Sequence, residues 1–123
     1  MIEHYVSQLL HTNTALANIV DDRISLHISS AKDDFVTFKL PSHRRSLDIS
    51  NEKSNNMARV QVDCYSKRNA RTMANAIVDA WHGAVIPPFD QIINDSEITF
   101  YEDDTHLERI TLDFAFYFSE VNL

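Results

Sequence analysis

Four residues near the C-terminus are of types that can do chemistry: Glu102, Asp103, Asp104 and His106. Three carboxylates followed by an imidazole offer hard oxygen ligands beside a nitrogen that could bind a divalent cation or act as a general base. A small metal-dependent hydrolase is therefore one reading of the chain. Against it, an acidic turn joining two strands is ordinarily solvated surface. Six histidines in 123 residues are many, but their spacing matches no helical metal motif. Cys64 is the single cysteine, which excludes an internal disulfide and a cysteine-based zinc cluster within one chain and fits a reducing compartment. It alternates with the buried face of a strand, where a thiol packs as a small hydrophobe with a raised pKa and lacks the access a nucleophile needs. Gly83 is the single glycine, so the glycine-rich turns that cradle phosphates or dinucleotides are excluded. No catalytic residue, cofactor or metal is expected on these grounds.

Charge points towards a surface role. Eleven basic residues against eighteen acidic ones give a net charge of −7, which opposes the phosphate neutralisation that dominates nucleic-acid affinity. The distribution is uneven. Residues 42–71 carry seven basic side chains and three acidic ones, whereas from Pro87 onward Arg109 is the one basic residue against nine acidic ones. A basic middle and an acidic end are complementary surfaces for a second copy of the same chain.

These residues need elements to position them. Ile2, Tyr5, Val6, Leu9, Leu10 and Leu16 recur at helical spacing and predict a helix over 2–18. Ile24, Leu26 and Ile28 alternate with polar residues as in a half-buried strand, and the run Phe35–Leu40 predicts a second strand stopped by Pro41. Residues 42–57 hold few apolar side chains and read as a long polar loop or a thin extended hairpin. A structureless connection longer than about 12–15 residues is usually functional or disordered. Ala58, Val60, Val62 and Cys64 predict a third strand. Ser66 is placed to cap a helix carrying Ala70, Met73, Ala74, Ile77 and Trp81 on one side and ending at Gly83. Trp81 at helical spacing from Ile77 reads as core. Residues 96–101 predict a fourth strand with Ile98 and Phe100 on one face. Ile110, Leu112, Phe114, Phe116 and Phe118 commit one face of the last strand to the core.

The expected fold is one α+β domain over 1–123. A mostly antiparallel sheet of four to five strands carries two helices on one face, in the order α-β-β-β-α-β-β. The other face is expected to be polar and free to meet solvent or a neighbour. The first residues lack a secretion signal, and no apolar run approaches the roughly 20 residues that span a bilayer, so a soluble protein without membrane contact is expected.

The segment Arg59-Val60-Gln61-Val62-Asp63-Cys64-Tyr65-Ser66, followed by Lys67-Arg68-Asn69-Ala70 and the helix through Trp81, resembles the tail completion or tail terminator proteins of long-tailed phages and prophages, the lambda minor tail protein U type. Asp22-Arg23-Ile24 after the N-terminal helix, and Tyr101-Glu102-Asp103 before the last strand, extend the likeness over nearly the whole chain in element order. The sequence departs from that pattern at Asp34-Phe35-Val36, where a proline is missing, and at Trp81-His82-Gly83.

The resemblance implies an α+β protomer that forms a six-membered ring without catalysis. Such a ring caps the finished tail tube, stops its polymerisation and offers a surface for head attachment. The implied partners are other copies of the chain, the tail tube protein and a head-completion or neck protein, with DNA passing through the lumen without specific binding. The implied location is the virion tail, reached from the host cytoplasm during assembly. Interface candidates are Arg44, Arg45, Lys53, Arg68, Arg71, Glu102, Asp103 and Asp104. A plain dimeric binding module that pairs through a sheet edge is the remaining alternative.

Overall fold

The computed structural model describes residues 2–26, 34–47, 54–103 and 106–119, and among these the side chains of 42–47 and 54–55 are not described. Three helices, α1 (Ile2–His11), α2 (Thr14–Val20) and α3 (Ala70–Trp81), accompany five strands: β1 (Ile24–Leu26), β2 (Phe35–Leu47), β3 (Ser54–Ser66), β4 (Gln91–Glu102) and β5 (Leu107–Phe118). The strands form one sheet in the order β1-β2-β3-β5-β4. β1 runs parallel to β2 and every other pairing is antiparallel. The fold is α+β, as the sequence predicts, with three helices rather than two.

The extra helix comes from Asn13. Its side chain accepts a hydrogen bond from the Leu16 amide at 3.1 Å, which ends α1 and starts α2 afresh. The same side chain donates to the Ala76 carbonyl at 3.0 Å and ties the break to α3. The predicted apolar stripe survives the break: Ile2, Val6, Leu10, Leu16 and Val20 are all buried.

The long loop predicted over 42–57 is largely strand. β2 continues past Pro41 and pairs with β3 from Ser42 opposite Arg59 to Leu47 opposite Ser54. The reason is that backbone pairing with a neighbouring strand, rather than an apolar side-chain pattern, builds this hairpin. Pro41 does not stop the strand because it sits in a bulge between Lys39 and Ser42, where a missing N–H breaks no ladder bond. Residues 48–53 lie outside the described residues.

At the start of α3, Ser66 caps the preceding turn rather than the helix itself. Its hydroxyl oxygen accepts from the amides of Arg68 at 3.2 Å and Asn69 at 2.8 Å, and Asn69 occupies the N-cap. At the other end Gly83 takes φ +77°, the left-handed conformation a glycine adopts at least cost.

The core lies between the helices and one sheet face. Ile110, Leu112, Phe114, Phe116 and Phe118 of β5 all point into it. Trp81 meets Phe114 and Phe116 edge-on, at centroid distances of 4.9 and 5.3 Å, and Phe89 meets Phe116 at 4.8 Å. Edge-to-face contacts of this kind add about 0.5–1.5 kcal/mol each beyond the area they bury. Cys64 is fully buried on the same face, and burial pushes its thiol pKa up, with the neighbouring Asp63 and Glu97 carboxylates adding to the effect. Asn56, opposite Phe118, is also buried, and among the described residues neither of its amide atoms has a hydrogen-bond partner. No described helix is long and apolar enough to cross a membrane.

Candidate functional site

Register decides what shares the sheet face that the helices leave uncovered. Partners opposite one another place Phe35, Tyr65, Arg109 and Phe100 in one row across β2, β3, β5 and β4. Phe35 stacks on Tyr65 with centroids 4.4 Å apart, and the Arg109 guanidinium lies 4.3 Å from the Phe100 ring centre and 5.9 Å from that of Tyr65. A cation over aromatic faces is held by the ring quadrupole at about 0.5–2 kcal/mol. A hydrogen bond with Tyr65 is the chief reason the Arg109 pKa rises above its ordinary value; desolvation opposes it, and the Asp63 and Glu102 carboxylates add to it. Arg109 Nε is buried without a hydrogen-bond partner among the described residues.

The next row is Thr37, Asp63, Thr111 and Ile98. Here Thr111 donates to Asp63 at 2.5 Å, and Gln61 donates to the same carboxylate at 3.2 Å. Asp63 is buried, and these donors replace the water it has lost. The uncovered face is thus a fixed lattice of aromatic, cationic and hydrogen-bonding groups. Sequence reading missed it because each member lies on a different strand and only the order β2-β3-β5-β4 brings them together.

The second feature is the edge made by β4. Its first half is covered by the chain itself: Gly83 donates to the Ile92 carbonyl at 2.7 Å, Ile92 donates to the Ala84 carbonyl at 3.1 Å, and Asn94 donates to His82 Nδ1 at 3.0 Å. Those bonds also show that the backbone groups of Ile92 and Asn94 face outward. An extra residue at the bulge between Asn94 and Ser96 shifts the alternation, so the outward groups beyond it belong to Glu97, Thr99 and Tyr101. No described residue pairs with that stretch of backbone. Ile98 is 50% exposed, Phe100 39% and Tyr101 61%, an apolar margin on an open strand. Ile98 and Phe100 share a face, as predicted, and it is the face away from the helices.

The predicted interface residues are spread over the molecule. Arg44 and Arg45 lie in β2, opposite Met57 and Asn56. Lys53 and Asp104 lie outside the described residues. Exposed Arg68 lines a polar recess before α3 with Asp34, Ser66, Lys67 and Asn69. Arg71 is already engaged, pairing with Glu97 of β4 at 2.7 Å. Arg59 pairs in the same way with Asp95 at 3.2 Å, so two cations of the basic segment meet the acidic segment of their own chain. Glu102 closes β4 opposite Leu107, and Asp103 is exposed in the turn. His106, at φ +57°, has its Nδ1 3.2 Å from the Tyr101 hydroxyl. Among the described residues no three His, Cys, Asp or Glu side chains converge to hold a metal ion.

No protein-family profile and no curated protein sequence matches the chain. Its fold does match that of a chain in a solved structure described as the virion of a native gene transfer agent particle. The TM-score is 0.72 at 15% sequence identity, over 94% of this chain and 92% of that one.

Proposed function

We propose that this chain is a structural protein of a virion and, more narrowly, a tail terminator. Copies of it close into a ring, six by the resemblance noted above, that caps a tail tube, halts its growth and presents the surface to which a head-completion or neck protein attaches. The observation that carries this reading is the fold shared over nearly the full length of both chains with a component of a gene transfer agent virion. The element order that underlies the sequence resemblance points the same way, and so does the open strand edge of β4. A protein of this kind works by contact with copies of itself and with neighbouring virion proteins, in the virion tail.

The reading is tested by letting tail tube subunits polymerise with and without the purified protein and measuring tube lengths by electron microscopy. Tubes that stop growing and carry a cap at one end are expected. Equal length distributions in both samples would overturn the reading.

A further inference from the structure

An edge strand normally protects itself against pairing with other chains by being short, by carrying lysine or proline, or by lying under a helix or loop. β4 has twelve residues, against a usual five or six, and holds no lysine and no proline. Its first half is covered by His82–Ala84, and its second half is not. On the far side of the sheet the edge is split in the same manner. Among the described residues β1 covers β2 at Val36–Phe38 alone, and the Val36 amide, which donates to the Arg23 carbonyl at 3.0 Å, fixes which groups face outward. Following the ladder across the bulge at Pro41, the outward backbone groups of the later half belong to His43, Arg45 and Leu47. No strand among the described residues pairs with them.

We propose that the open half of β4, Glu97 to Tyr101, pairs with the open half of β2, His43 to Leu47, of a second copy of this chain, joining the two sheets edge to edge. Each segment offers three outward-facing residues at two-residue spacing, which is the periodicity a ladder needs. Charge disfavours β2 against β2, because that segment is cationic and carries no acidic residue. Residues 91–102 contain no basic residue, and their Asp95 and Glu97 pair with Arg59 and Arg71 of their own chain, whereas 39–47 contain Lys39, Arg44 and Arg45 and no acidic one. Like charges brought opposite one another across strands are destabilising, and unlike charges are favourable. The contact is heterologous, because different patches meet, and heterologous contacts generate rings when the rotation closes.

The two open halves lie at diagonally opposite corners of the sheet. Thr99 stands level with Ile110 of β5, and Arg45 stands level with Phe118, eight residues further along. Copies joined this way step by about 26 Å along the strand direction, so a closed ring requires strands inclined to its axis, as in any barrel with stagger. This inference relies on the tail-terminator reading only for the ring. How copies join rests on the two edges.

The test is hydrogen–deuterium exchange on the wild-type protein, dilute and then assembled, either in concentrated solution or on tube ends. Amides of Glu97, Thr99 and Tyr101 and of His43, Arg45 and Leu47 should slow together by about tenfold or more on assembly. Ile98→Lys, which places a charge at the open margin, should keep the circular dichroism of the wild type while weakening assembly by about tenfold or more. Assembly with both segments exchanging as in the monomer would overturn the proposal. So would protection of β4 alone in a dimer, or no assembly in solution or on tubes. Rings with unprotected edges would sink the edge pairing and leave the tail-terminator reading standing. Edge-paired oligomers that leave tube growth untouched would do the reverse.

Discussion

β5 and β4 lie side by side for a dozen residues, yet they are built for different ends. β5 sits between two strands and sends five large apolar side chains into the core, and even the far side of it is tied down through Thr111 and Arg109. Among the described residues β4 has a neighbouring strand on one side only, and from Asp95 to Tyr101 every residue is exposed. Burial stabilises a strand at about 25 cal/mol per Å² of apolar surface, and exposure leaves its backbone groups for another chain. In this molecule, apolar burial is concentrated in β5 and open backbone in the strand beside it.

Five substitutions break or sharpen that contrast. Phe116→Ala removes a ring packed against Trp81 and Phe89 and should cost about 3–5 kcal/mol in chemical denaturation. Thr111→Val keeps the shape but strips Asp63 of its closest donor inside a buried site, and should cost about 1–3 kcal/mol in the same measurement. Cys64→Val acts through pH. The folded thiol has a raised pKa, so its contribution is complete below the ordinary thiol range near pH 8.5 and declines as pH rises above it. Wild-type stability should therefore fall relative to Cys64→Val by up to about 1.4 kcal/mol per pH unit in the alkaline range, with parallel curves below pH 8. Asn56→Leu replaces an amide buried without a hydrogen-bond partner among the described residues by an apolar side chain and should raise stability by about 1 kcal/mol, seen as a higher denaturation midpoint. Ile98→Lys should change stability least, within about 0.5 kcal/mol, because the side chain is half exposed on an open edge. A large loss there would mean that β4 contributes to the fold as β5 does.

The same contrast explains what could be read from the sequence. β5 was legible because one face of a central strand must alternate, and Ile110, Leu112, Phe114, Phe116 and Phe118 do so without interruption. Trp81, Cys64 and Gly83 were legible for similar reasons, since helical spacing, strand alternation and a helix end each leave a local mark. The pairing of 42–47 with 54–59 was legible only as one of two readings, a thin extended hairpin beside a long loop, because backbone bonds hold these strands and polar side chains do not announce them. The break at Asn13 had a local signal in Thr12-Asn13-Thr14, masked by an apolar stripe that continues through both helices.

The row of Phe35, Tyr65, Arg109 and Phe100 depends on strand order, which no local pattern encodes. Charge was partly misleading for the same reason. Arg59 and Arg71 belong to the basic middle of the chain, but the fold brings them to Asp95 and Glu97 of the acidic end. Exposed pairs like these contribute about 0–1 kcal/mol, so they give little stability while partly neutralising charge that could otherwise face a neighbour. What remains for a neighbour is the backbone edge of β2 at His43–Leu47 and the margin of β4, at opposite corners of one sheet.

The central claim, that copies of this chain interlock at the end of a tube, is met most directly by cryo-electron microscopy of tail tubes incubated with the purified protein. The account predicts a closed ring on one end of each tube, with β4 of every copy lying against β2 of the next. Tube ends left bare at saturating protein, or a ring whose copies touch only through their helices, would contradict it.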